Sequence, residues 1–166
     1  MQVLVNLSGE TSGWLAHSRK LGLAIRPVLE ALVTVNQLYL VTHHVPKLYE
    51  SGVRYGEEPN GTIEEFASIP IVLSRGWGDC DDLSPWRVAE LRCQGEKAKI
   101  RIQWKRQGNG KKLFHIVVRR ANGEIEDPSR ILGMGKLAPV IHHPAAGVPH
   151  PRRALVAGAS NLWEPA

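Results

Sequence analysis

Cys80, His115 and Asp127 have the types and the order that covalent chemistry on a carbonyl requires. A thiol nucleophile needs a base to take its proton, and the base needs a third group to fix its tautomer. Cys80 lies in Gly76-Trp77-Gly78-Asp79-Cys80-Asp81-Asp82, between glycines and carboxylates and just ahead of a helix-like run. His115 follows in an apolar, strand-like stretch, and Asp127 lies one short turn further on. A cysteine at a helix N-terminus is drawn toward the thiolate by unpaired amides and the positive end of the dipole. The same amides can hold an oxyanion. Gly76 and Gly78 would let backbone approach a substrate closely. Asp79, Asp81 and Asp82 act in the opposite sense, because nearby negative charge raises a thiol pKa. They escape that role if they cap the helix and point away from sulfur.

The elements that must position these groups are a helix and three strands. Residues 86–94 are helical in spacing, with Gly95 as a C-terminal stop. Pro85 leaves two possibilities for the helix start. Either the helix begins at Cys80 and loses the bond from residue 85 to Asp81, or Ser84 caps a helix that begins at Pro85 and Cys80 stays in the loop before it. Three strands follow at about 98–105, 112–120 and 124–127, with Ile100, Ile102 and Trp104 on one face of the first. The turn at Asn122-Gly123 decides whether His115 and Asp127 can meet. A two-residue turn pairs Val118 with Asp127 and puts Asp127 on the wrong face. A three-residue loop, Ala121-Asn122-Gly123 with Gly123 left-handed, sets Val117 opposite Asp127 and makes His115 its diagonal neighbour.

Upstream, Met1 to Leu7 alternates as a strand. Apolar residues from Ser18 to His43 recur at helical spacing, with Pro27 inside the run. Either a strand ends before Arg26 and a helix starts with Pro27 at its first position, or a longer helix kinks there; the first is expected, with the helix ending near His44. Residues 45–62, rich in Pro and Gly, read as a long loop anchored by Tyr49 and Tyr55. Residues 62–73 read as a short helix or an extended linker ending at Ile69-Pro70. From Ala138 the chain is rich in Pro, His and Ala and has little periodicity. The organisation expected is a single α+β domain over 1–137 and an extended tail over 138–166.

The 166 residues carry 21 basic and 16 acidic side chains, a formal charge of +5. No basic block is long enough to form a nucleic-acid-binding arm, so a nucleic-acid partner is not expected. The alternating Lys97, Lys99, Arg101 and Lys105 read as the wet side of a strand pair. Residues 28–41 are too short and too interrupted to span a bilayer, and no signal pattern opens the chain. Cys80 and Cys93 on one helix would stand roughly 20 Å apart, too far for a disulfide. Two thiols fit a reducing compartment, so synthesis in a cytosol is expected. Cys93 is expected in the core. The carboxylates and histidines meet no familiar metal spacing, and no cofactor is expected. His43-His44, His142-His143 and His150 read as solvated loop residues. Trp77, between two glycines, is expected beside a cleft.

Gly78-x-Cys80, a helix with Ala89 and Leu91, then Gly95 and Ala98, resemble the nucleophile segment of transglutaminase-like, papain-fold cysteine enzymes. His115-Ile-Val-Val, the turn at Gly123 and Asp127-Pro128-Ser129 resemble that family's His and Asp strands. The match covers roughly residues 76–130. Leu48-Tyr-Glu-Ser-Gly-Val-Arg-Tyr and Glu126-Asp-Pro-Ser-Arg-Ile-Leu-Gly-Met134 add a likeness to small members encoded in bacteriophage genomes. The resemblance implies an α+β fold with the nucleophile helix packed on a small antiparallel sheet. It implies Cys80 as nucleophile, His115 as base and Asp127 as orienting carboxylate, acting on amide carbonyls of a protein or cell-wall peptide. Gly78 and Trp77 fall in the oxyanion and substrate region. It also implies an upstream side-chain oxyanion donor, for which Trp77, Trp14 and Tyr55 are the candidates. Other phage structural proteins would be partners, and the chain could join a virion. A contrasting expectation is a catalytically silent virion or assembly component, docking through loop 45–62 and the tail.

Overall fold

The computed structural model describes residues 18–58, 65–106 and 112–135; the expected strand Met1–Leu7 and the tail from residue 138 lie outside them. The chain is of the α+β class. Helix α1 (Ser18–Thr42) continues through Pro27, so the expected strand before Arg26 does not form. Ile25 and Leu29 lie on one apolar stripe that crosses the proline, and both pack into the same core. Pro27 itself is exposed, as is Leu23, whose carbonyl loses its helical donor. Water can take that carbonyl, so the break falls where it costs least.

A single 3-10 turn (Leu48–Glu50) and a two-residue strand β1 (Arg54–Tyr55) give the loop 45–58 local structure. Ile69-Pro70 opens a helix rather than ending one: α2 (Ile69–Arg75) has Pro70 in its first turn, where a missing amide is harmless. Gly76 stops α2 in the left-handed region at φ +76°. Strand β2 (Trp77–Gly78) then pairs in parallel with β1, setting Tyr55 beside Gly78.

Helix α3 (Cys80–Cys93) begins at the cysteine, with Asp79 as N-cap. Of the two starts open to the sequence, the structure takes the one with Pro85 inside the helix. Gly95 at φ +87° ends it. The Glu96 amide reaches the Leu91 carbonyl and the Gly95 amide that of Arg92, a Schellman closure. Cys93, on the last turn, is exposed, not buried as expected. The run of Val88, Ala89 and Leu91 feeds the core, and residue 93 falls beyond its edge.

Strands β3 (Lys99–Arg106), β4 (Lys112–Arg119) and β5 (Ile125–Glu126) form an antiparallel sheet in that order. Short helix α4 (Pro128–Ile131) follows, capped by Asp127. Two apolar clusters meet at α3. In one, Val88, Ala89 and Leu91 pack with Leu29 and Val33 of α1 and with Ile100, Ile116 and Val118 of the sheet. In the other, Leu83 and Trp86 pack with Leu48, Val53, Ile69 and Val72. Each fully buried aliphatic side chain contributes roughly 1.5–3 kcal/mol, so α3 is held from both sides. Among the described residues no helix is long and apolar enough to cross a membrane.

Candidate active site

The three-residue loop is the one that forms. Arg120 donates to the Glu124 carbonyl at 2.8 Å, and Gly123 stands at φ +90°. The ladder pairs Val118 with Glu126 and Arg119 with Ile125. One further step sets Val117 opposite Asp127, on the face that also carries His115. There His115 Nε2 and Asp127 Oδ2 lie 2.8 Å apart, both groups partly buried. A neutral imidazole donating from Nε2 has its lone pair at Nδ1, the form a base needs. The other oxygen of Asp127 accepts the Arg130 amide at 3.2 Å, which caps α4. The carboxylate is therefore held at both oxygens.

Ser84 explains how α3 reaches this place. Strand β5 is only two residues long, so β4 has an open edge beyond Val118. Ser84 Oγ fills part of that edge by donating to the Ile116 carbonyl at 2.7 Å, and Ser84 is fully buried. Cys80 lies one helical turn before Ser84, and His115 precedes Ile116 on the strand. The half-buried Cys80 side chain packs against the cluster that contains Ile116 and Val118.

The aspartates around the thiol are structural caps. Asp79 Oδ1 accepts the Asp81 amide at 3.2 Å; the Asp79 side chain also accepts the Asp82 amide while Asp82 Oδ2 accepts the Asp79 amide at 3.3 Å, the two sides of a capping box. Asp82 Oδ1 also accepts the Ala67 amide at 2.6 Å, and Arg75 pairs with Oδ2. Burial first, then the charge of Asp79, lifts the Asp82 carboxyl to about 7, against the pull of Arg75. Asp81 is 4% exposed. Burial, its hydrogen bond with Asp79 and the neighbouring negative groups raise its pKa well above the usual carboxylate range. Burial thus favours its protonated form. The oxygens of the three residues converge within 4.8 Å, with amides and Arg75 on Asp79 and Asp82.

Gly78 is tight for a different reason than substrate approach. A Cβ there would stand 3.2 Å from Asp82 Cβ and from Leu83 Cδ2, so it is α3 itself that presses on the backbone. The Trp77 ring is half-buried, with the Arg75 guanidinium 3.9 Å above it and Gly56 against its edge. Tyr55, opposite Gly78, has its hydroxyl raised in pKa by burial, then by Glu57, the Cys80 thiol and Asp79. Of the candidate oxyanion donors, Tyr55 donates its hydroxyl to Glu57 Oε1 at 3.2 Å, and Trp14 lies outside the described residues.

Sequence reasoning missed the residues that brace the site. Glu126 accepts from Tyr49 Oη at 2.5 Å, Arg87 Nε at 2.5 Å and Arg120 at 2.7 Å. Burial alone would raise its pKa; these donors outweigh burial and lower it. Arg87 sits on α3 and Glu126 adjoins Asp127, so this pair ties the helix that begins at Cys80 to the strand that leads to Asp127. Asn36, a polar residue in the middle of α1, is buried and accepts the Ile69 amide at 3.0 Å, satisfying the start of α2. A polar residue on an otherwise apolar stripe was the available signal.

Comparison with protein-family models, curated proteins and solved structures gives no significant match.

Proposed function

We propose that this chain is a cysteine acyl hydrolase or acyltransferase of the transglutaminase-like, papain-type fold, acting on peptide or side-chain amides. The observation that carries the reading is the 2.8 Å His115–Asp127 pair on the strand against which the Cys80 helix is docked. In the proposed reaction the Cys80 thiolate attacks the carbonyl carbon, its proton having passed to His115 Nδ1. The oxyanion is met by amides at the start of α3. Collapse breaks the C–N bond, and His115 returns the proton to the departing amine. The thioester is then opened by water, or by a second amine, with His115 again taking the proton.

The substrate would be a protein or a cell-wall peptide. The phage-like residue texture supports a phage-encoded protein, made in the bacterial cytoplasm and available to a virion. The test is an electrophilic activity-based probe for cysteine hydrolases, with Cys80→Ala as control. Labelling is expected at Cys80 and is expected to fall in His115→Ala. Equal, slow labelling of Cys80 and the exposed Cys93 would sink the reading.

A further inference from the structure

The sheet face that carries His115 also carries an unbalanced cationic patch. Lys99 pairs across the sheet with Arg119, and Arg101 with Val117, so all three cations share the face of His115. All three are exposed. The ion pairs of the described residues involve other side chains, and none of the three takes part. Three acids beside the sheet are committed elsewhere. Asp127 is tied to His115, Glu126 lies on the opposite face with Arg87 and Arg120, and Glu96 is held by Arg120. At roughly 3.4 Å per residue, Arg101 stands about 7 Å along the strand from His115, and Arg119 about 14 Å. An extended peptide rising 3.3 Å per residue would bring a side chain two or three residues from the reacting carbonyl over Arg101.

Resting on the thiol-site reading, we propose that the substrate is an acidic peptide, with Arg101, Arg119 and Lys99 as the specificity-determining residues. A carboxylate placed there neutralises repelling cations and is steered to the site from a distance. Surface attraction of this kind is strongly screened by salt.

Two chloroacetyl peptides test this, one with two glutamates following a glycine and one with two glutamines in their place. Each alkylates a thiol: the S–C bond forms at the chloromethyl carbon and chloride leaves. At low ionic strength the glutamate peptide is expected to label Cys80 about five- to tenfold faster. The ratio should fall toward one in about 0.5 M salt. Arg101→Gln with Arg119→Gln should bring the ratio close to one, and Arg101→Lys with Arg119→Lys should retain it, which separates charge from folding. Equal rates for the two peptides in the unaltered protein would overturn the proposal. So would equal rates together with an oligonucleotide bound through these arginines, which would reassign the patch to nucleic acid. Failure of the thiol-site reading has a separate signature. Cys80 would then react with the glutamine peptide no faster than Cys93, and His115→Ala would change nothing.

Discussion

Cys80 has three carboxyl neighbours, yet Arg75 faces Asp82 and burial favours the protonated form of Asp81, so the thiol meets less negative charge than its flanks suggest. The sign of the resulting pH dependence follows from linkage. Asp82, at about 7 in the folded chain, and Asp81, also raised, hold protons that the unfolded chain releases near the ordinary value of 3.8. Stability should therefore be lost as pH rises from about 4 to about 7. Glu90, also raised by burial, adds to the same slope. Glu96 and Glu126, both lowered by their hydrogen bonds, act only on the acid side of the ordinary glutamate range. Denaturant titrations near pH 5 and pH 8 should find the protein more stable at the lower value. Asp81→Asn should raise stability near pH 8 by about 1 kcal/mol and flatten the slope. A steeper slope in that variant would contradict the protonated assignment. For the thiol, Asp127→Ala should lower the rate of Cys80 alkylation by iodoacetamide near pH 6.5 by about tenfold, read by mass spectrometry against Cys93.

The elements position the site through counting. Shortening the Ala121-Asn122-Gly123 loop by one residue should shift the β4–β5 register and turn Asp127 to the opposite face. Alkylation of Cys80 in that variant should match Asp127→Ala rather than the unaltered protein. A rate like that of the unaltered protein would show that the register does not govern the site. The strands and the loop were legible because alternation at Ile100 and Ile102, the apolar run after His115 and Asn-Gly punctuation leave few registers open. The start of α3 was ambiguous. Local rules weigh a lost Pro85 amide against a cap, and they cannot weigh the Asp79–Asp82 capping box together with burial on both sides of the helix. Pro27 failed as a boundary for a related reason: tertiary packing of Ile25 and Leu29 outweighs one missing bond on the wet face. Ser84 and Glu126 were invisible because their roles depend on partners far away in the chain.

Across the molecule, α3 belongs to both apolar clusters, so damage to either should reach the nucleophile. Leu29→Ala, in the cluster with α1 and the sheet and fully buried, should cost about 3 kcal/mol, seen as a lower denaturant midpoint. Little change would mean that α1 is not integral to the fold. The divided carboxylate of Asp127 carries one more consequence. One oxygen faces His115 while the other holds the Arg130 amide, so that amide is an internal reporter on the rotamer of Asp127. Its hydrogen-exchange protection would let the readiness of the site be followed residue by residue, in the resting protein and without any substrate at hand.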